Sequence, residues 1–438
     1  MPRILQVPAP LPRAVWLLSW VSFFADVSGE MMYPLLPLFL VGVLGSSRAQ
    51  LGLVEGAAVL IVAMMTAVAG FRSDRRDQGR GRVPWIRWGY GLPVVGKATI
   101  ALATAWPLVL GGRLLDRFGK GLRGAPRDAL IADAVTSEQR GRAYGLHRAF
   151  DTAGALVGVL LSALLLWWLT GTPRDGAGAM AASAAAPTPA WVYRTIFGVG
   201  SALGLASLVL TFLVQESEPP PESCLSSSPG IPATIATPTI RGETGWLTLP
   251  GSYWSMLAVQ IVFALAASSD TFLLLRASDL GFAPWTVVLA YALYNVTYAL
   301  LSYPAGVLSD HLGRWRVIAL GWAIYAGVYA GFALLPATQS WALWPLMAVY
   351  GVYMALTDGV GKALVADHAP PAKRGAAMGL FYALTGLATL GASLLTGLVW
   401  DRFGARAAFL IGSGFASLAL LALPLLIRPR APVIDKGD

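Results

Sequence analysis

The chain has 438 residues, 56% of them hydrophobic and only 13% charged, with a mean hydropathy of +0.62. That composition excludes a set of water-soluble domains and reads as a polytopic membrane protein. The net charge of +9 does not call for nucleic acid, because the cations stand mostly in short loops between apolar runs. One cysteine, Cys224, excludes an internal disulfide framework.

Apolar runs long enough to span a bilayer fall near 15–43, 49–71, 85–105, 107–133, 142–170, 191–214, 249–276, 283–307, 317–336, 341–366, 376–399 and 406–427. Twelve spans put both termini on one side. The loops 72–84, 135–141, 308–316 and 367–375 share that side and are rich in Arg, so it is expected to be the cytoplasm of a bacterial inner (plasma) membrane. Asp401, Arg402 and Arg406 break the pattern, since they fall in a loop on the other side. The Pro-, Ser- and Thr-rich stretch from Glu216 to Gly242 reads as a flexible linker. The expected division is an N-terminal six-helix bundle at 1–214, a cytoplasmic linker at 215–248 and a C-terminal six-helix bundle at 249–438.

The first span carries Asp26 and Glu30 one helical turn apart. Two carboxylates on one face inside a membrane resist being ionised together. They are candidates for proton coupling, and a static pairing with the cations of the fourth span is the competing reading. Pro34 and Pro37 remove backbone donors and should kink the outer half of this span. Glu55 lies in the second span, and Lys97, in the third, needs a carboxylate partner, with Asp151 of the fifth span a candidate.

The fourth span is the most polar. Arg113, Arg117, Lys120, Arg123 and Arg127 fall within about a third of a helix circumference and form a stripe roughly 20 Å long. Such a stripe cannot face lipid. Arg113, Arg117 and Lys120 are expected to line a cavity, where they either meet an anionic substrate or tune the carboxylates opposite. Arg127 and Asp128, with Arg140, are expected to form an inner gate. In the second half, Asp270 stands inside the seventh span, and Asp358 and Lys362 stand in the tenth, spaced to pair with each other or to face the cavity. Tyr33, Trp254, Tyr291, Asn295, Tyr298 and Tyr382 are candidate substrate contacts by position.

Two internal echoes organise the whole. DALIADAVTSEQRGRAYGL, from Asp128, returns as KALVADHAPPAKRGAAMGL, from Lys362, so that Asp133, Arg140, Gly141 and Gly145 correspond to Asp367, Arg374, Gly375 and Gly379. GFRSDRRDQGRGR, from Gly70, returns as GVLSDHLGRWR, from Gly306. The chain is two similar halves in tandem.

Two six-helix halves, each with a G-x-x-x-D-x-x-G-R-like loop after its second span, resemble the major facilitator superfamily of secondary transporters. The loop residues are Gly306, Asp310, Gly313, Arg314 and Arg316 in the second half and Gly70, Asp74, Arg75, Gly79 and Arg80 in the first. The resemblance implies an all-α fold that works by alternating access. It also implies that Asp74, Arg75, Arg80, Asp310 and Arg314, with Asp367 and Arg374 beside them, latch the inner gate. The glycine pattern of antiporters survives on the fifth span as Gly154 and Gly158, with Val159 in place of its proline.

No phosphate-cradling loop, metal-spaced Cys or His cluster or other enzyme signature is present. The expectation is therefore a monomeric, non-enzymatic, proton-coupled antiporter that exports a small organic molecule, with no cofactor beyond the transmembrane proton gradient and no nucleic-acid partner. Two alternatives remain open. One is a proton-coupled carrier of an anionic metabolite or chelate, and the other is an uncoupled membrane scaffold or lipid scramblase.

Overall fold

The computed structural model describes residues 11–73, 81–135, 139–170, 188–215, 249–370 and 374–426. All regular secondary structure among them is helical, as it must be where lipid offers no hydrogen bonds to a free backbone. The N-terminal half comprises α1 (Arg13–Met32), α2 (Arg48–Ser73), α3 (Val83–Ala101), α4 (Trp106–Asp133), α5 (Arg140–Thr170) and α6 (Ala190–Thr211). In the C-terminal half, α7 (Gly251–Ala264) and α8 (Thr271–Asp279) share one crossing, followed by α9 (Pro284–Leu312), α10 (Arg314–Leu334), α11 (Leu343–His368) and α12 (Arg374–Leu426). The last is two crossings joined at Gly404, whose φ of +80° reverses the chain and suits only glycine well. Among the described residues these make twelve crossings, in two six-helix bundles. From Glu216 onward the expected linker lies outside the described residues.

Local chemistry explains the irregular places. Beyond α1 the chain tightens into a 3-10 turn at Tyr33–Leu35 and then widens into a π segment at Leu38–Val43, around the missing donors of Pro34 and Pro37. The seventh crossing, expected as one helix over 249–276, is instead broken between Ala264 and Thr271. That break carries no proline, and polar Ser268, Ser269 and Asp270 hold it by tertiary contacts instead.

The two halves meet along α2 and the first leg of α12. An added Cβ at Gly52 would lie 2.2 Å from the Ser393 carbonyl oxygen, and one at Gly397 would lie 2.2 Å from that of Arg48. Only glycine lets the backbones close to this distance. The N-terminus of α2 completes the seam. Ser47 and Gln50 form a reciprocal capping box, in which the Ser47 amide donates to Gln50 Oε1 at 2.9 Å and the Gln50 amide to Ser47 Oγ at 3.1 Å. The amides of Arg48 and Ala49 donate to the Asp401 carboxylate of the other half, each at 3.0 Å. Arg48 also reaches Asp279 at 3.5 Å. Asp401, the outlier of the loop-charge pattern, thus caps a helix of the opposite half.

Calling the face where α2 ends and α3 begins the basic face, this seam closes the opposite face. On the basic face the described ion pairs each join groups of one half: Arg82–Asp133, Arg127–Asp128, and Arg314 with both Asp310 and Asp367. Among the described residues, the ion pairs that join the two halves lie on the face opposite the basic one.

Candidate functional site

Between the halves lies a cavity of about 650 Å³. The N-terminal wall supplies Glu30, Tyr33, Glu55, Arg113, Arg117 and Lys120, and the C-terminal wall supplies Ser268, Ser269, Asp270, Tyr291, Tyr382 and a Thr385–Thr389 patch. Every cation on the wall comes from α4. The only charge from the C-terminal half among the described lining residues is Asp270.

The cations are not equivalent. Arg113 is buried and pairs in fork geometry with Glu55, with Nε to Oε1 at 2.9 Å and Nη2 to Oε2 at 3.0 Å. Its guanidinium also lies 5.2 Å from the Tyr33 ring centre. Asp116, behind the wall, is shared by Arg113 and Arg117 at 3.5 Å each and by Lys97 at 3.9 Å. The partner of Lys97 is therefore Asp116 and not Asp151, because Gly96 and Gly112 let α3 and α4 close until each would place a Cβ within 2.5 Å of the other's backbone oxygen. Lys97 also donates to Ser28 Oγ at 2.8 Å. Asp151 instead faces His147 at 3.5 Å on its own helix. Among the described residues, Lys120 has no ion-pair partner within 4 Å, and from beyond that distance its charge acts on Asp26 and Glu30.

Asp26 and Glu30 part company despite their shared spacing. Glu30 lines the cavity and accepts a hydrogen bond from Tyr291 Oη of the opposite half at 2.8 Å. Asp26 is not among the lining residues and faces Arg123 at 3.9 Å. Arg123 stacks over Tyr90, 4.2 Å from its ring centre, and Arg127 donates to Ser22 and Asp128. The stripe on α4 thus splits into a cavity section, Arg113 to Lys120, and an intra-bundle section, Arg123 to Arg127.

In the C-terminal half, Asp270 accepts from Tyr350 Oη at 2.7 Å and Tyr294 Oη at 3.1 Å. Asp358 accepts from Lys362 at 3.0 Å and Tyr298 at 2.8 Å, away from the cavity lining. Of the aromatic candidates, Tyr33, Tyr291 and Tyr382 line the cavity, whereas Trp254, Asn295 and Tyr298 do not. Asp74, Arg75 and Arg80 lie outside the described residues, as do the side chains of Arg140 and Arg374. Gly154 and Gly158 let α5 close onto the Phe23 and Val27 carbonyls of α1.

Two six-helix bundles around a cavity that sets these charges beside an apolar stretch of α2, Ala58, Val59, Val62 and Ala63, have the architecture of a membrane carrier. The comparisons place it further. The family model described as Major Facilitator Superfamily matches residues 18–357 and 256–437. An "Uncharacterized MFS-type transporter MJ1317" of Methanocaldococcus jannaschii is 32% identical over 419 residues, covering 94% of both chains. "Multidrug resistance protein MdtH" of Cronobacter sakazakii is 27% identical over 387 residues, covering 84% of this chain and 82% of the relative. Among solved structures, the nucleoside transporter NupG aligns with a TM-score of 0.70 at 15% identity over 96% of this chain and all of that one. A D-xylose-proton symporter aligns with a TM-score of 0.71 at 16% identity over 94% and 97%. The chain belongs to the major facilitator superfamily and is a secondary transporter embedded in a membrane.

Proposed function

We propose that the protein exports a small organic molecule in exchange for protons, by rocking of residues 1–214 against 249–438 in a bacterial inner membrane, with the basic face and both termini in the cytoplasm. The observation that carries this reading is Glu30. It is a partly buried carboxylate on the cavity wall, its described hydrogen bond comes from a hydroxyl of the opposite half, and no described cation lies within 4 Å of it. A carboxylate whose direct partner is a hydroxyl can take up a proton without breaking an ion pair, with Lys120 and Arg117 of α4 acting on it from beyond 4 Å, and a proton on it alters a contact between the halves. The relatives named multidrug resistance protein MdtH support export. The seam along α2 and α12 is the contact that opens when the cavity turns to the other side.

The test uses purified protein in liposomes that hold a pH-sensitive dye, with ethidium, chloramphenicol or citrate added as cationic, neutral and anionic probes. Glu30→Gln is expected to abolish uphill movement while leaving downhill exchange; full uphill activity in that variant removes Glu30 from the mechanism. A second reading, a carrier of an anionic metabolite or chelate, is favoured by Arg117 and Lys120 on the wall. Proton movement triggered by citrate alone would select it.

A further inference from the structure

We propose that Asp270 is the proton carrier of the C-terminal half and forms, with Glu30 of the N-terminal half, a two-carboxylate unit held by tyrosine hydroxyls. This rests on the proton-coupled reading above. It also departs from what the distribution of charge suggests, because the C-terminal half contributes so little charge to the cavity.

Asp270 stands at the N-cap of α8, where an aspartate ordinarily accepts an amide hydrogen bond of its own helix. Here the side chain makes no such bond. Both of its oxygens turn instead to hydroxyls, Oδ1 to Tyr350 and Oδ2 to Tyr294, so capping does not account for it. Nor does ion pairing, since no described Lys, Arg or His lies within 4 Å of it. The charged group that acts on it from the facing elements is Glu55 of α2, already closed in its fork with Arg113, and the polar neighbours are Tyr33 beyond α1, Tyr291 and Tyr294 of α9, Tyr325 and Tyr329 of α10 and Tyr350 and Tyr353 of α11.

Hydroxyl partners suit a group that must change protonation. A guanidinium would lock the carboxylate in its ionised form, whereas a tyrosine donates to the ionised form and accepts from the protonated one. In the step itself, a hydronium ion in the cavity breaks one O–H bond, leaving water, as an O–H bond forms on Asp270, and on the other face that bond breaks and its proton passes to a water to give hydronium; the tyrosines keep their own protons. Tyr291 and Tyr294 stand three residues apart on one face of α9. One helix therefore holds both carboxylates, Glu30 across the halves at 2.8 Å and Asp270 within its own half at 3.1 Å. Rocking breaks the first bond and leaves the second.

The test is the infrared difference spectrum of the full chain in liposomes between neutral and acidic pH, in the band of protonated carboxyl groups, alongside proton flux. Asp270→Asn is expected to lose one carboxyl band and uphill transport while keeping downhill exchange, and Asp270→Glu to restore the band. Tyr350→Phe, which keeps the ring, is expected to shift the band without removing it. A spectrum of Asp270→Asn identical to that of the unaltered protein overturns the proposal. If that variant keeps full uphill flux while Glu30→Gln loses it, this proposal falls and the antiport reading stands. If protons move in the same direction as the probe and Asp270→Asn loses both the band and that flux, the antiport reading falls and this proposal stands; an unaltered protein that moves no protons overturns both.

Discussion

Replacing Asp401 with alanine removes the group that satisfies two amides at the start of α2 from the other half of the protein. The remaining amides of that turn are served locally, through Gln50 to Ser47 Oγ and Leu51 to the Ser47 carbonyl, so the change is confined to Arg48 and Ala49. Losing an N-cap of this kind costs about 0.5–2 kcal/mol. The Arg48–Asp401 ion pair lost with the cap, at 3.9 Å, adds little, because the two side chains are 30% and 26% exposed. Since the cap exists only while the seam is shut, the cost falls on the closed-seam state alone. At about 1.4 kcal/mol per tenfold, the closed population should fall against the open one by roughly 2- to 30-fold. Spin labels at Thr104→Cys and Thr338→Cys, exposed on the two halves of that face, in a Cys224→Ser background, report the separation. A distance distribution that Asp401→Ala leaves unchanged would refute the idea that this cap holds the seam.

Other variants separate stability from transport. Glu55→Ala strands the Arg113 guanidinium, which is 5% exposed beside a partner 3% exposed; a loss of about 3–5 kcal/mol is expected for breaking such a pair, read as a lower unfolding temperature in detergent, and a loss under about 1 kcal/mol would mean that Asp116 alone compensates Arg113. Arg117→Ala and Lys120→Ala are expected to weaken citrate binding at least tenfold while sparing ethidium; equal losses for both probes would assign these residues to folding or gating. Asp310→Ala removes a partner 67% exposed, so it should shift the inward–outward balance by no more than about 1 kcal/mol, less than Asp401→Ala, and a larger shift would make the basic-face latch the stronger of the two.

The twelve crossings were legible because apolar length is a long-range signal that packing does not overturn. Charges were harder to place. The spacing of Asp26 and Glu30 gives a common face but not a common partner, and the approach of α4 places Arg123 beside one while Tyr291 of the other half reaches the other. For Lys97 the sequence pointed to Asp151, and the glycine-mediated closeness of α3 and α4 brings Asp116 to it instead. The break at Ser268–Asp270 was invisible, because no proline or glycine marks it and its support comes from Tyr329, Tyr294 and Tyr350 on distant segments. Asp401 was visible as an anomaly of loop charge, and its meaning required the neighbouring half. The tyrosines at 291 and 294 offered a signal that could have been followed, since two hydroxyls at i, i+3 inside a membrane helix need polar partners.

The central claim, that a solute and a proton cross in exchange through this cavity, is tested most directly by proton flux in liposomes containing the purified protein and a pH-sensitive dye. Ethidium, chloramphenicol and citrate are added in turn across an imposed pH gradient. The account predicts proton movement opposite to that of one probe, abolished by Glu30→Gln. Uphill movement of a probe with no proton flux, or proton flux that Glu30→Gln leaves intact, would contradict it.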